Sequence, residues 1–202
     1  MHRTYWGWSE DLRSSPILQN HSSTEIKGAK IIEYNVNHDT RGYTFKPYSY
    51  QIKEAGLKFE VKEIFYSWSN KDVIRGMHFQ LPPYEQAKIV HVIKGRIVDV
   101  LLDLRTDSPT YGKYISIKLE EGDGKVVYIP KGLAHGFESL VNGSTVLYLF
   151  DGPYSSESES GIRYDSFGYA WKIDRPILSP RDLSFTEFYR FKSPFRLPKD
   201  AT

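Results

Sequence analysis

From residue 30 to residue 150 the chain is a succession of short apolar runs punctuated by turn residues, and this pattern leaves few folds open. The runs are AKIIEYNV, KFEVKEIFYSW, AKIVHVIKGRIVDVLLDL, GKYISIKLEEGDGKVVYIP and STVLYLF. Each is of the length of one strand, or of two strands joined by a turn, and rich in β-branched and aromatic residues. Between or within them IKGRI, DSPTYGK and EGDGK supply the Gly, Asp and Pro that tight turns require. Five or more strands at this spacing predict an all-β fold, either a jelly-roll barrel or a sandwich. Helix is expected only in PYSYQIKEAG and after Ser179, so the helices are short and mainly C-terminal.

A chain of 202 residues suits one domain, set here at 26–202, with residues 1–25 as an N-terminal extension whose Trp6 and Trp8 suit packing on a partner subunit or over a pocket. The biased segment PYSSESESGIRYD reads as a lid or surface loop. The net charge of +2 gives no field for nucleic acid or an anionic membrane. Neither partner is expected. With no cysteine the chain has no disulfide, thiolate metal site or cysteine nucleophile, and it fits a reducing compartment such as the cytoplasm. No run is long and apolar enough for a membrane span, and the N-terminus lacks the pattern of a signal peptide.

A small barrel can hold a ligand among its inward side chains, so polar residues within strands are candidates for a site. His78, Lys88, Asp99, His135 and Tyr148 all fall in or beside strand-like runs. Taken singly, each has an ordinary reading: a hydrogen-bonded core histidine, a solvated lysine, a packed tyrosine. Lys88 shares its face with Val90 and Val92, which turns it inward, whereas Asp99, alternating with Ile97 and Leu101, fits either face. A metal centre would want paired imidazoles, yet His78 is followed by Gln80 rather than by a second histidine, and His91 and His135 stand alone. No metal and no cofactor are expected. There is also no nucleophile elbow and no phosphate-cradling glycine loop, which leaves proton transfer as the economical chemistry.

The segments VIRGMHFQ, AKIVHVIKGRIVDVLLDLRTDSPTYGKY, YIPKGLAHGF, LYLFDGPY and PILSPRD, in this order and spacing, resemble the dTDP-4-dehydrorhamnose 3,5-epimerase family over residues 30 to 185. The resemblance implies a cupin jelly-roll fold and metal-free epimerisation of a nucleotide-linked 4-keto-6-deoxy sugar. It implies His78 as the base paired with Asp182, Lys88 on the enolate oxygen, and Tyr148 as the acid on the opposite sugar face. Arg75 is implied on the diphosphate, His135 and Gln80 in the site, Tyr154 at its edge, and Arg41 toward the nucleotide. Lys46, Glu63 and Phe65 stand where the family usually has Glu, Gln and Asn. That departure opens the nucleotide to CDP, GDP or UDP and the reaction to a single carbon. The barrel pattern also suits a keto-sugar 3,4-isomerase or a non-catalytic sugar-nucleotide-binding cupin. The resemblance further implies a homodimer with exchange of N-terminal strands.

The chemistry makes these residue types intelligible. A proton beside a ketone is too weakly acidic for an unaided imidazole, so the enolate needs a fixed cation or donor in a dry pocket. A carboxylate on the imidazole's other nitrogen fixes its tautomer and steadies the imidazolium. Inversion then needs an acid across the ring from the base.

Overall fold

Residues 18–198 are described by a computed structural model. Its strands form two antiparallel sheets facing one another. The first contains, in spatial order, β1 (Leu18–Ser23), β2 (Lys30–Tyr34), β10 (Lys125–Ile129), β7 (Lys88–Lys94), β12 (Ser144–Phe150) and β5 (Glu63–Ser69). The second contains β13 (Glu159–Gly161), β6 (Ile74–Gln80), β11 (Leu133–Ser139), β8 (Arg96–Asp103) and β9 (Tyr114–Glu120). A separate hairpin joins β3 (Asn37–Asp39) to β4 (Gly42–Thr44). Of the jelly roll and the sandwich that the strand pattern left open, the jelly roll, in the cupin form that the resemblance implied, is the architecture found.

Both faces of the central strands β7, β8 and β11 are covered, and this explains why these strands read as continuous apolar runs rather than strict alternations. Along β8, Ile97 and Leu101 enter the core between the sheets, where they meet Val90 and Val92 of β7 and Phe137 of β11. The intervening Val98, Val100 and Leu102 pack outward under Phe167 and Phe195 of the C-terminal segment. The outer face of the six-stranded sheet, with Ile32, Ile89 and Val126, is covered by Ile52, Ala55, Leu57 and Phe59. Each fully buried aliphatic side chain contributes about 1.5–3 kcal/mol, so the two outer layers are as necessary as the inner one.

The two segments with helical character become short turns of helix. Tyr50–Ala55 is a 3-10 helix, started by the Ser49 side chain accepting from Gln51 N–H and stopped at Gly56, whose φ is 73°. The helix α1 (Pro180–Leu183) is capped by Ser179, whose Oγ accepts from Asp182 N–H at 3.0 Å, with proline at its first position. Two expectations change. The acidic, serine-rich segment is no free lid: β13 pairs with β6, and Ser155 N–H donates to Gln80 Oε1 at 2.6 Å. Of the expected extension, Leu18–Ser23 is the edge strand β1, because its backbone pairs with β2; Trp6 and Trp8 lie outside the described residues.

A buried ion pair ties the DSPTYGK loop to the N-terminal turn. Asp103 accepts from Arg105 Nε and Nη2 at 2.8 Å each and from Ser108 and Thr110 hydroxyls at 2.7 Å each. Arg105 Nη2 also donates to the Lys27 carbonyl at 2.7 Å. Both side chains are almost fully out of solvent, so removal of one leaves the other charged, buried and unpaired. Asp103→Ala should therefore cost about 3–5 kcal/mol, measured as a lower midpoint of denaturant unfolding with an unchanged slope.

Candidate active site

His78 lies on β6, next to a very close approach of that strand to β11. Gly76 has φ +133°, and a Cβ there would stand 2.5 Å from Gly136 Cα on β11. Only glycine fits at either position. The approach brings His78 directly opposite His135 and presents the Gly76 N–H to the C-terminal segment.

Asp182 takes up that offer. Its Oδ2 accepts from Gly76 N–H at 3.1 Å and its Oδ1 lies 3.0 Å from His78 Nε2. The motif LSPRD therefore works as a helix start whose third residue turns its carboxylate outward, across to β6, instead of back to its own cap. Burial alone would raise the Asp182 carboxyl, but hydrogen bonds from His78, Gly76 and the Ser179 cap outweigh it and hold the group at about 2. With Nε2 engaged by a carboxylate, Nδ1 is the nitrogen of His78 available to exchange a proton.

Lys88 faces the space between the sheets from β7 and lies over the Phe150 ring at 5.6 Å. Burial lowers its ammonium to about 8, against the opposing pull of Asp99 and Glu159. Asp99, which the alternation of β8 left to either face, points inward: its Oδ1 meets His135 Nε2 at 2.6 Å, and its buried Oδ2 has no hydrogen-bond partner among the described residues. Burial also lowers the His135 imidazole, only partly countered by Asp99.

Tyr148 closes the opposite wall. Its hydroxyl lies 3.3 Å from Ser67 Oγ on β5, and its ring stacks on Phe65 at 4.7 Å between centroids. Phe65 stacks in turn on Phe150 at 5.4 Å. Burial pushes the phenol well up from its ordinary range, so it stays protonated at any working pH and acts as a donor rather than a base.

His78, Lys88, His135, Tyr148, Phe65 and Phe150 line one cavity of about 240 Å³, and Asp182 and Asp99 hold its two imidazoles from behind. Arg75, Gln80, Glu63 and Tyr154 also border it. Arg75 is braced by Ser69 Oγ and the Trp68 carbonyl, both at 3.0 Å. Gln80 is spent on the wall itself, donating to the Tyr84 and Pro153 carbonyls at 2.9 and 3.2 Å. Glu63 Oε1 accepts from Tyr154 N–H at 2.9 Å. Arg41 and Lys46 are not brought to the cavity of their own chain: Arg41 pairs with Asp39 on the exposed β3–β4 hairpin, and Lys46 follows it in sequence. Sequence reasoning passed over Glu159, Arg181, Ser67 and Phe150, which also line the cavity, and the Asp99 link to His135. Among the described residues no group of three or more His, Asp or Glu is placed to hold a metal ion.

A buried lysine, a protonated phenol and a carboxylate-held imidazole around one cavity can remove a proton from carbon, steady the anion, and return a proton from another direction. The comparisons with known proteins point the same way. A model of the dTDP-4-dehydrorhamnose 3,5-epimerase family matches residues 23–189. The dTDP-4-dehydrorhamnose 3,5-epimerase of Shigella flexneri is 35% identical over 169 residues, covering 82% of this chain and 93% of the relative. A dTDP-6-deoxy-D-glucose-3,5-epimerase of Legionella pneumophila, solved with dTDP-4-keto-L-rhamnose, superposes with a TM-score of 0.83 at 30% identity, covering 89% of this chain and 98% of that one. ChmJ, a 3′-monoepimerase of Streptomyces bikiniensis solved with dTDP-quinovose, gives a TM-score of 0.76 at 29% identity over 81% of this chain and 85% of that one.

The anchored Asp182 has a measurable consequence. A carboxyl held at about 2, below its ordinary 3.8, stabilises the fold above pH 4 and loses that contribution as the pH falls toward 2. Asp182→Asn should remove about 2 kcal/mol of stability at neutral pH and flatten the acid limb of the unfolding profile between pH 4 and 2, read by circular dichroism.

Proposed function

The chain belongs to the dTDP-4-dehydrorhamnose 3,5-epimerase family and is an isomerase-class enzyme, and from that premise we propose that it inverts C3 and C5 of a thymidine-diphosphate-linked 4-keto-6-deoxyhexose. The reading is carried by the convergence of His78, held by Asp182, with Lys88 and Tyr148 on one cavity. Relatives solved with dTDP-sugars favour thymidine as the nucleotide.

In this reading His78 Nδ1 removes the proton from the carbon beside the 4-ketone. The C–H bond breaks, its electrons flow into the ketone, and the enolate oxygen is held by the Lys88 ammonium. Buried between the sheets, that cation acts through a low local dielectric and needs no reorganisation at the moment of charge development. Tyr148 then gives its phenolic proton to the opposite face of the same carbon. The proton on His78 returns to the phenolate through solvent, and the ring is presented again for the second carbon. Arg75 takes the diphosphate and Tyr154 borders the nucleotide end. His135, held by Asp99, shapes the wall between base and acid.

We assign the functional unit as a homodimer. Every residue of the hairpin strands β3 and β4 is exposed in the single chain, and Arg41 and Lys46 stand outside its own cavity, so the cavity of a second copy is where they can act. The outer side of edge strand β5 offers Ile64, Tyr66 and Trp68, each more than half exposed, as the apolar surface such a copy would cover. The lack of cysteine suits the cytoplasm as its compartment.

Incubation with dTDP-4-keto-6-deoxyglucose in deuterated water should place deuterium at both C3 and C5, followed by NMR and mass spectrometry. Label at C3 alone would identify a single-position epimerase, and no label at either carbon would remove the assignment. His78→Ala should abolish exchange at both carbons. Tyr148→Phe should still wash out the substrate proton while inversion falls by about 10²–10³-fold. The rate should decline on the alkaline side near pH 8 as Lys88 loses its proton, and not at the higher pH at which the phenol ionises.

A further inference from the structure

Of the charged groups that line the cavity or touch His78, Arg181 is the cation in contact with two carboxylates. From α1 come Asp182 and Arg181, from β13 Glu159, from β11 His135, from β7 Lys88, from β5 Glu63 and from the turn between β6 and β7 Glu85, while Arg75 lies on His78's own strand. Arg181 Nη1 is 2.7 Å from Glu159 Oε1, and its Nε is 3.6 Å from Asp182 Oδ1. That same Oδ1 is the atom 3.0 Å from His78 Nε2. On its far side Glu159 Oε2 accepts from the Tyr154 hydroxyl at 2.6 Å. A continuous polar chain thus runs from the exposed Tyr154 at the cavity mouth, through Glu159 and Arg181, to the carboxylate behind the base.

We infer that Arg181 is a positioning residue for the base: its guanidinium bridges Glu159 and Asp182, and Glu159 sets how closely it approaches the carboxylate that His78 shares. This inference rests on the reading of His78 as the base. The geometry explains the division of labour. The planar fork of a guanidinium can address two carboxylates from two of its nitrogens at once. Here one nitrogen makes a close contact with Glu159, and the other is left at ion-pair range of Asp182, just beyond hydrogen-bond length. The Phe185 ring limits its other side, 6.0 Å from the guanidinium carbon and 5.6 Å from the His78 ring centroid. Asp182 therefore gives His78 most, but not all, of its negative charge. Without the cation, the carboxylate would favour the imidazolium more strongly; without Glu159, the cation would close on Asp182 and favour it less. The two deletions act in opposite directions on a histidine that neither residue touches by hydrogen bond.

The test is the titration of His78 in protein carrying ¹⁵N,¹³C-histidine, with its resonances assigned from a His78→Asn spectrum, alongside the pH profile of solvent exchange with dTDP-4-keto-6-deoxyglucose. Arg181→Met should move the His78 midpoint and the acid limb of kcat/KM upward by about half a pH unit, the size expected of one partly screened ion pair. Glu159→Gln should move both downward. Arg181→Lys should fall between wild type and Arg181→Met, because one ammonium cannot address both carboxylates. Shifts of the same sign in the Met and Gln variants, midpoints that do not move, or a Lys variant matching wild type would each overturn the bridge. The two readings fail separately: midpoints that move as stated in a protein that exchanges no substrate proton would keep the bridge and remove the epimerase base, whereas exchange with unmoved midpoints would do the reverse.

Discussion

Two sheets with four apolar faces must all be covered, and the placement of the site follows from how the chain meets that demand. The inner faces cover each other. The six-stranded sheet takes its outer cover from the segment around Tyr50–Ala55, and the five-stranded sheet from the chain after residue 162. That second cover is what carries Asp182 across more than a hundred residues of sequence to β6. A segment recruited to exclude water from Val98, Val100 and Leu102 thus also delivers the carboxylate that holds His78. Packing and chemistry share one piece of chain.

Inside the barrel the same exclusion of water sorts the ionisable groups. Burial works against the charge on Lys88 and against the ionisation of Tyr148, so one becomes a cation that gives up its proton easily and the other a donor that keeps it. Asp182 escapes this trend because backbone and ring N–H groups surround it. Three titratable groups in and behind the cavity's walls are driven to three different protonation habits by desolvation and hydrogen bonding. A cycle of proton removal and return needs groups separated in this way.

The strands and the inward turn of Lys88 were legible in the sequence because both depend on short-range alternation, with Val90 and Val92 marking the face. The His78 pairing with Asp182 was reachable only through the family resemblance, since no local pattern links residues so far apart. The contact of Asp99 with His135 was not legible, because it depends on the register that sets His135 against Leu101 and Phe137 against Asp99. Gln80 lines the cavity as its motif implied, but the engagement of its amide by the wall's own carbonyls was not legible, because it depends on how Tyr84 and Pro153 fold back on β6. Arg41 lies in, and Lys46 just after, a hairpin whose strand residues are all exposed, and no local pattern in the sequence marks that both stand outside the cavity of their own chain. Glu159 sits in a segment whose composition reads as ordinary solvated loop, and only the pairing of β13 with β6 draws it inward; Arg181 is brought beside it by α1, which Asp182 ties to β6.

The seam between Gly76 and Gly136 sits between the two histidine motifs and gives both of them their glycine. Because it has no side chain on either strand, the seam has no slack: it fixes the spacing of the His78 and His135 rings by backbone contact, as a spacer of zero thickness. A single added methyl group would act there as a wedge, parting β6 from β11 and drawing the Gly76 N–H away from Asp182 in the same motion. Loss of function by that route would leave every polar group of the cavity in the sequence and would alter only the distances among them. In this fold a steric lesion and a chemical one would be hard to tell apart by activity alone.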